Sequence, residues 1–310
     1  MSAHAAISSA ALPGVLPAQA PPLVHARDVD GVRVLTAANG KVNALSRPLR
    51  VAALQALVEA SRADVRAIVL RCAGRTFFAG ADLQELERGF EPPGLLDFVD
   101  ACAAAPQPVV AALHGTVFGG GVVMAYACDW RVAAHDARFA MPEVGLGLLP
   151  TFGGTQLLPR LVGVPAALEL VLDGAQWDAA TALRHGLVDE VVPAAELDAT
   201  VLAAAHRVPA KRPVRQERRH LEEPARAAQA IAARQEAMNA ATTEAQARCL
   251  AVMAQGLGLP LEQALALEHA AFLELLASPS SRLLRQRFFA ERAQRRAGPV
   301  GQGHDREGSR

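Results

Sequence analysis

The spacing of apolar residues divides the chain into an α/β part and a helical part. From residue 23 to about residue 205, short β-rich runs alternate with stretches of helical periodicity, which is typical of an α/β core. Apolar runs predict strands over residues 32–36, 65–71, 109–113 and 187–192. Helices are predicted after Ser46, over residues 122–128 and after Asp178, since Ser and Asp are common helix caps.

The pattern changes after residue 205. Residues 206–224 form a basic connector with little helical periodicity, and its charges are expected to face solvent rather than to bind an anion. The basic residues of this connector are Arg207, Lys211, Arg212, Arg215, Arg218 and Arg219. The two ends of the chain, residues 1–22 and 297–310, are expected to be disordered tails.

Residues 225–296 are predicted to be a helical C-terminal extension. One of its helices carries an apolar stripe that must pack on another element. A last helix is predicted to begin near Ser278, with Pro279 in its first turn, or at Ser280. The stripe consists of Leu261, Ala264, Leu265, Phe272, Leu275 and Leu276.

Charge and composition narrow the classes of protein. Lys plus Arg number 31 and Asp plus Glu number 31, so the zero net charge argues against nucleic acid or an acidic membrane as a partner. Hydrophobic residues make up 51% of the chain, which favours a globular fold over disorder. The longest apolar run, residues 117–128, is shorter than the roughly 18 to 20 residues that cross a bilayer, so no transmembrane helix is predicted.

The cysteines and the N terminus indicate a reducing compartment. Cys72, Cys102, Cys128 and Cys249 are far apart and form no Cys-x-x-Cys pair, which favours buried thiols over disulfides or structural zinc. No basic segment precedes an apolar one at the N terminus, so no secretory signal is predicted. We therefore expect a cytoplasmic protein without a bound metal.

Two glycine-containing segments lead from a strand or turn into a helix. They are residues 78–83, Phe-Ala-Gly-Ala-Asp-Leu, and residues 119–121, Gly-Gly-Gly. Glycine lets another group approach the main chain, and the first amides of a helix lack intrahelical acceptors. Two such segments facing each other could hold one developing negative oxygen. Taken alone, each segment is more often explained by tight packing.

Glu143 is the candidate acid or base. It lies among the apolar residues Met141, Pro142 and Val144, and such surroundings tend to raise a carboxyl pKa toward the range that proton transfer requires. The alternative from the local sequence is a carboxylate at a helix start or in a loop salt bridge.

Several motifs follow one another in a fixed order between residues 67 and 161. They are Ala-Ile-Val-Leu-Arg, Phe-Ala-Gly-Ala-Asp-Leu, His-Gly-x-x-x-Gly-Gly-Gly, Cys-Asp-x-Arg-Val-Ala, Met-Pro-Glu-Val-Gly-Leu-Gly-Leu-Leu-Pro and Gly-Gly-Thr-Gln-x-Leu-Pro-Arg. This series closely resembles the crotonase superfamily of enoyl-CoA hydratases and isomerases, from about residue 23 to about residue 192. The resemblance implies an α/β, crotonase-like (ClpP/crotonase) spiral of ββα units. The helical extension contains Ala-Arg-Gln-Glu at 233–236, Ala-Leu-Glu-x-Ala-x-Phe-x-Glu-Leu at 266–275 and Arg-Phe-Phe at 287–289. It resembles the segment that joins the hydratase/isomerase module to the dehydrogenase module in multifunctional fatty-acid oxidation enzymes.

The resemblance also implies roles for individual residues. The N–H groups of Ala81 and Gly120 match the oxyanion-hole donors that bind the thioester carbonyl of an acyl-CoA, and Glu143 matches a catalytic glutamate. CoA is then part of the substrate, no separate cofactor is implied, and family members are generally homo-oligomers, trimers or hexamers. The implied substrate-binding residues are Lys41, Asn43, Ala44, Leu45, Ala79, Gly80, Asp82, Leu83, Gln84, Gly119, Gly121, Val123, Pro142 and Phe152.

The residue at position 123 bears on whether the reaction is hydration or double-bond migration. Hydratases of this family use two glutamates, and Val123 stands where the first is expected, so that only Glu143 remains. Hydration divides its proton transfers between two carboxylates, whereas double-bond migration needs one base. We therefore expect a Δ3,Δ2-enoyl-CoA isomerase; the alternatives are an enoyl-CoA hydratase or a degenerate, non-catalytic acyl-CoA-binding or interaction module. Phe152 stands where many relatives have a small residue, and it is expected to reshape the acyl pocket.

Overall fold

The core is built on a sheet whose strands are mostly parallel. The strands are β1 (Val24–Val29), β2 (Val32–Ala37), β3 (Ala67–Cys72), β4 (Val109–Leu113), β5 (Thr116–Phe118), β6 (Trp130–Ala134), β7 (Arg138–Ala140), β8 (Gln176–Asp178) and β9 (Glu190–Val192). The computed structural model describes residues 21–208, 210–218, 220 and 224–297, and within them the main sheet has the order β1-β2-β3-β4-β6-β9. Only its β1–β2 pair is antiparallel in the described chain. A smaller sheet has the order β5-β7-β8.

The strand predictions are largely confirmed. Strands β3 and β4 are continuous apolar runs because both of their faces are covered, as is usual for parallel strands. The predicted strand over residues 187–192 is too long, because the N–H groups of Leu187 and Val188 bond to the Ala182 carbonyl and close a turn instead. The strand therefore begins only at Glu190.

Short helices connect the strands. They are α1 (Arg47–Ser61), α2 (Leu83–Arg88), α3 (Leu95–Ala104), α4 (Gly120–Tyr126), α5 (Leu158–Val162), α6 (Val164–Val171), α7 (Ala179–Arg184) and α8 (Leu197–Arg207), with a 3₁₀ helix at Pro142–Leu146. Asp178 caps α7 as predicted, because its carboxylate accepts from Thr181 N–H at 2.7 Å. Ser46 precedes α1 but makes no side-chain capping bond. Helix α4 starts at Gly120, two residues earlier than predicted, because the glycines form its first turn.

Two apolar clusters cover the faces of the main sheet. Helix α8 covers one face, where Val201 and Ala204 pack against strand residues such as Val34 and Val110. The cluster on the other face joins α1, α3 and α4 and continues into the C-terminal helices through residues such as Leu250. The helical extension and the α/β core therefore share one hydrophobic cluster.

The extension consists of four helices within the described residues. They are α9 (Pro224–Glu236), α10 (Glu244–Gly256), α11 (Leu261–Ala277) and α12 (Pro279–Ala297). The predicted packing of the apolar stripe is confirmed, because Leu265, Phe272 and Leu275 on α11 are buried. In the part of the chain that the structure describes, no helix is long and apolar enough to cross a membrane. The expected tails, 1–22 and 297–310, fall almost entirely outside the described residues.

The basic connector differs from the expected solvated face. Lys211 forms an ion pair with the buried carboxylate of Asp129 at 2.6 Å, and Arg212 pairs with Asp189 at 2.9 Å. Asp129 is 1% exposed, and a buried carboxylate is costly unless it is paired and hydrogen-bonded. The expectation of a solvated face is therefore wrong here, since these cations attach the connector to the core. Helix α8 also extends to Arg207, inside the predicted connector.

Candidate active site

A cavity of about 1400 Å³ lies between the core and helices α11 and α12. This volume exceeds the roughly 300 to 1000 Å³ of common small-molecule sites, and the wall is mostly apolar, so the cavity suits a large ligand with an apolar part. The core contributes the loops before α2 and α4 and the 3₁₀ helix, while the extension closes the opposite side.

The backbone at Ala81 and the backbone at Gly120 face each other in the core wall. Leu45 N–H donates to Gly80 O at 2.9 Å, and a bridge between Leu45 and Ala81 fixes the segment before α2. On the facing segment, a Cβ atom built on Gly120 would lie 3.7 Å from Ala81 N. Within the described residues, neither the Ala81 nor the Gly120 N–H donates to a protein acceptor. The arrangement can bind one oxygen that gains negative charge.

The glycines of this wall are required by close contacts. Gly119 has φ +51°, and a Cβ there would lie 2.7 Å from the Glu143 carboxylate oxygen Oε1. A Cβ on Gly121 would lie 1.9 Å from Phe78 O. Gly119 therefore admits the carboxylate, while Gly121 allows the two segments to pack against each other.

Glu143 lies in the cavity wall on the 3₁₀ helix. Its Oε2 atom is buried and has no hydrogen-bond partner in the part of the chain that the structure describes. Burial raises the pKa of the Glu143 carboxyl to about 7, and the nearby Glu268 carboxylate adds to this rise. A carboxyl with a pKa near neutrality can both remove and return a proton.

Glu143 is also the one carboxylate with a buried, unpartnered oxygen among the described residues that line the cavity. Asp82 lines it too, but this side chain caps α2 by accepting from Gln84 N–H at 3.1 Å. Val123, which is 1% exposed, contributes an apolar side chain to the wall.

The structure brings most of the residues singled out in the sequence to this cavity. Those that line it are Glu143, Ala81, Gly120, Ala44, Ala79, Gly80, Asp82, Leu83, Gln84, Gly119, Val123, Pro142 and Phe152. Lys41, Asn43, Leu45 and Gly121 do not line it. Asn43 is instead buried, and its amide nitrogen donates to Ala73 O and Thr76 O at 2.9 Å each, which holds the turn that precedes Leu45.

The extension adds cavity residues that sequence reasoning missed. They are His269, Phe272, Leu273, Leu276, Phe288, Phe289, Arg292 and Ala293. The apolar stripe on α11 signalled that Phe272 and Leu276 pack against another element, but the pattern does not say that this element is the wall of a cavity. Phe90 and Leu95, on either side of the start of α3, complete the wall from the core.

The fold is crotonase-like, with a mostly parallel sheet and, in one cavity, two facing backbone segments and a glutamate with a buried carboxylate oxygen. The family model described as enoyl-CoA hydratase/isomerase matches residues 28–262. The chain belongs to the enoyl-CoA hydratase/isomerase family.

Individual relatives agree with this assignment. The chain is 44% identical over 161 residues to a peroxisomal bifunctional enzyme of Danio rerio, covering 52% of this chain and 22% of that protein. It is 40% identical over 166 residues to a probable enoyl-CoA hydratase of Bacillus subtilis (strain 168), covering 51% of this chain and 64% of that protein. The matches thus span less than two thirds of the length of these relatives. A crystal structure of an enoyl-CoA hydratase/isomerase from Pseudoalteromonas atlantica T6c covers 87% of this chain and 97% of its own, at 27% identity and a TM-score of 0.65.

Proposed function

We propose that the protein is a Δ3,Δ2-enoyl-CoA isomerase with Glu143 as its single acid/base. The observation that carries the proposal is that Glu143, with a buried and unpartnered carboxylate oxygen, lines the same cavity as the apolar Val123. The names of relatives include a hydratase, so similarity alone does not choose between the two reactions. The side chains in the cavity favour the isomerase.

The geometry supports a proton-transfer mechanism. The thioester carbonyl oxygen of a 3-enoyl-CoA would accept from Ala81 N–H and Gly120 N–H. Ionised Glu143 would take a proton from C2, and the electron pair would move onto this oxygen as a dienolate. The protonated Glu143 would return the proton to C4, which leaves the double bond between C2 and C3. No atom is gained or lost, and losing one oxyanion donor typically costs about 100-fold to 1000-fold in rate.

The rest of the proposal concerns the cofactor requirement, the oligomeric state and the location of the enzyme. Because the reaction only moves a proton and a double bond, we propose that it needs no cofactor beyond the CoA of its substrate. We also propose a homo-oligomer, trimer or hexamer, in the cytoplasm. Light scattering of the purified chain measures the assembly, and a monomeric mass would contradict this part.

Replacing Glu143 by Gln tests the assigned base. Glu143→Gln keeps the shape of the side chain and removes its ability to take a proton, so isomerisation of a 3-enoyl-CoA should fall about 1000-fold. The change is measured by absorbance, with identification of the product by mass spectrometry. The control is Glu59→Gln on the exposed side of α1, which should keep full activity. A Gln variant that remains active would refute the assignment.

Replacing Val123 by Glu tests the choice between the two reactions. Val123→Glu supplies a second carboxylate to the cavity wall, so hydration of a 2-enoyl-CoA should rise well above that of the original protein. The product gains the mass of water, which distinguishes hydration from isomerisation. If the unaltered protein already hydrates 2-enoyl-CoA as fast as it isomerises 3-enoyl-CoA, the hydratase alternative is correct. If it turns over neither substrate, it is a binding module.

A further inference from the structure

The peptide group between Phe152 and Gly153 is held at both of its ends. Its carbonyl oxygen accepts from the Tyr126 hydroxyl at 2.7 Å, and its N–H donates to a Glu268 carboxylate oxygen at 2.7 Å. Tyr126 lies on α4, whose first residue is the oxyanion donor Gly120, and Glu268 lies on α11 of the extension. One peptide unit of the cavity wall therefore joins the oxyanion helix to the extension.

The Glu268 carboxylate accepts several hydrogen bonds from this loop. The residue is 1% exposed, and its carboxylate also accepts from Thr155 N–H at 2.8 Å and from the Thr155 hydroxyl at 2.6 Å. Burial raises the pKa of the Glu268 carboxyl to about 7, while these hydrogen bonds act in the opposite direction. A buried carboxylate is costly, and the bonds to the loop offset that cost only when the loop holds its present conformation.

The backbone conformation of the loop at Phe152 is unfavourable for a residue other than glycine. Phe152 has φ +61°, in the left-handed region that costs a non-glycine residue roughly 1 to 2 kcal/mol. In this conformation its ring lies 5.4 Å from the ring of Phe90, against the backbone of Gly94, and forms part of the cavity wall. Such strain persists only when the surrounding structure holds it.

We propose that Glu268 is a positioning residue through which the helical extension sets the acyl-chain selectivity of the cavity. Its carboxylate holds the peptide after Phe152 and thereby keeps the Phe152 ring in the wall beside Phe90. For the class of ligand, an acyl-CoA, this inference rests on the proposed function.

The variant Glu268→Gln weakens the attachment of the loop to α11 without changing the size of the side chain. A glutamine has one acceptor oxygen, and its NH₂ group would face an N–H or hydroxyl donor of the loop, so at least one of the present bonds is lost. Phe152 can then relax to negative φ and withdraw its ring from the wall. The enlarged cavity gains apolar contact with a long acyl chain and none with a short one.

The test measures binding of saturated acyl-CoAs, which requires no turnover. Dissociation constants of butanoyl-CoA and dodecanoyl-CoA are measured by calorimetry for the unaltered protein, Glu268→Gln, Phe152→Ala and the double variant. Phe152→Ala should shift the ratio of the two constants about tenfold in favour of dodecanoyl-CoA, and Glu268→Gln about fivefold in the same direction. The double variant should match Phe152→Ala alone, because Glu268 acts through Phe152. The control, Glu274→Gln, changes an exposed glutamate of the same helix and should leave the ratio unchanged.

Two outcomes overturn the inference. The first is that Glu268→Gln leaves the ratio of the two dissociation constants unchanged. The second is that Glu268→Gln shifts this ratio by the same factor in the original protein and in the Phe152→Ala variant. Should Glu268→Gln fail to fold, Thr155→Val removes one bond to Glu268 with little change in shape, and it should shift the ratio about twofold in the same direction. Because saturated acyl-CoAs do not isomerise, the result stands apart from the isomerase assignment. Failure to bind either acyl-CoA would instead contradict the proposed function.

Discussion

The cavity is bounded by two walls that are built in different ways. The core wall presents backbone groups, the N–H groups of Ala81 and Gly120, together with the carboxylate of Glu143. The extension wall, on α11 and α12, presents side chains such as Phe272 and Phe288. On the proposed function, the chemistry is concentrated in the core wall, while the extension wall shapes the space that remains for the ligand.

The two walls also differ in the interactions that hold them in place. The core wall depends on close approach between main-chain segments, as at Gly121 and Phe78. The extension wall is attached to the core through buried polar side chains, Glu268 on α11 and Arg285 on α12. The close contact at Gly121 leaves no room for an added atom. The hydrogen bonds of Glu268 and Arg285, in contrast, can be removed one at a time. We therefore expect changes in the core wall to abolish function and changes in the extension wall to alter affinity and selectivity.

The largest effect is expected from Gly121→Ala, on α4 directly behind the core wall. Its Cβ would lie 1.9 Å from Phe78 O, so helix α4 or the segment that contains Ala81, a proposed oxyanion donor, must move. The free energy of unfolding should fall by about 3 kcal/mol or more, measured by urea denaturation. Activity of the folded fraction should fall at least about 100-fold, because the donors no longer meet.

The matched control is Gly258→Ala after α10. A Cβ there has nothing within 4 Å, so stability and activity should stay unchanged. Equal losses in Gly121→Ala and Gly258→Ala would show that close approach is not what fixes the core wall.

An intermediate effect is expected from Arg285→Met in the extension wall. Arg285 is 4% exposed and donates to Glu87 on α2 at 2.6 Å and to Ser281, whose hydroxyl donates to Leu146 O of the 3₁₀ helix. Loss of these bonds should lower the free energy of unfolding by about 2 kcal/mol. It should also raise KM about fivefold with kcat nearly unchanged, because α12 shapes the cavity without touching the reacting atoms.

Arg282→Met is the control for this helix. Arg282 is exposed one turn earlier on α12, and its replacement should leave KM unchanged. A loss confined to kcat in Arg285→Met would place α12 in the chemistry, contrary to the division between the walls.

The same division explains what could be predicted from the sequence. The glycine segments and Glu143 leave a local pattern that by itself is better explained by packing or a loop carboxylate, so Ala81, Gly120 and Glu143 were singled out only through the series of motifs that resembles the crotonase superfamily. Asn43 was predicted to bind substrate, because sequence does not distinguish a side chain facing a ligand from one holding a turn. Glu268 leaves no signal, since its partners Gly153 and Thr155 are more than a hundred residues away. The ion pairs of Lys211 and Arg212 were missed because their partners, 82 and 23 residues away, are brought to them only by the fold.

The smallest expected effect is a shift in the pH dependence of kcat/KM. It tests whether Glu268 of the extension acts on Glu143 of the core wall. Glu143, the proposed base, must be ionised to take a proton, and its pKa is raised to about 7. For the unaltered protein, kcat/KM should therefore be constant above about pH 8 and fall about tenfold per pH unit below its midpoint. Glu268 contributes to the raised pKa of Glu143 through its negative charge, so Glu268→Gln should move the midpoint to lower pH, by about half a unit. A midpoint that stays in place, while the acyl-chain selectivity of the same variant changes, would show that the extension wall shapes the cavity without acting on the base.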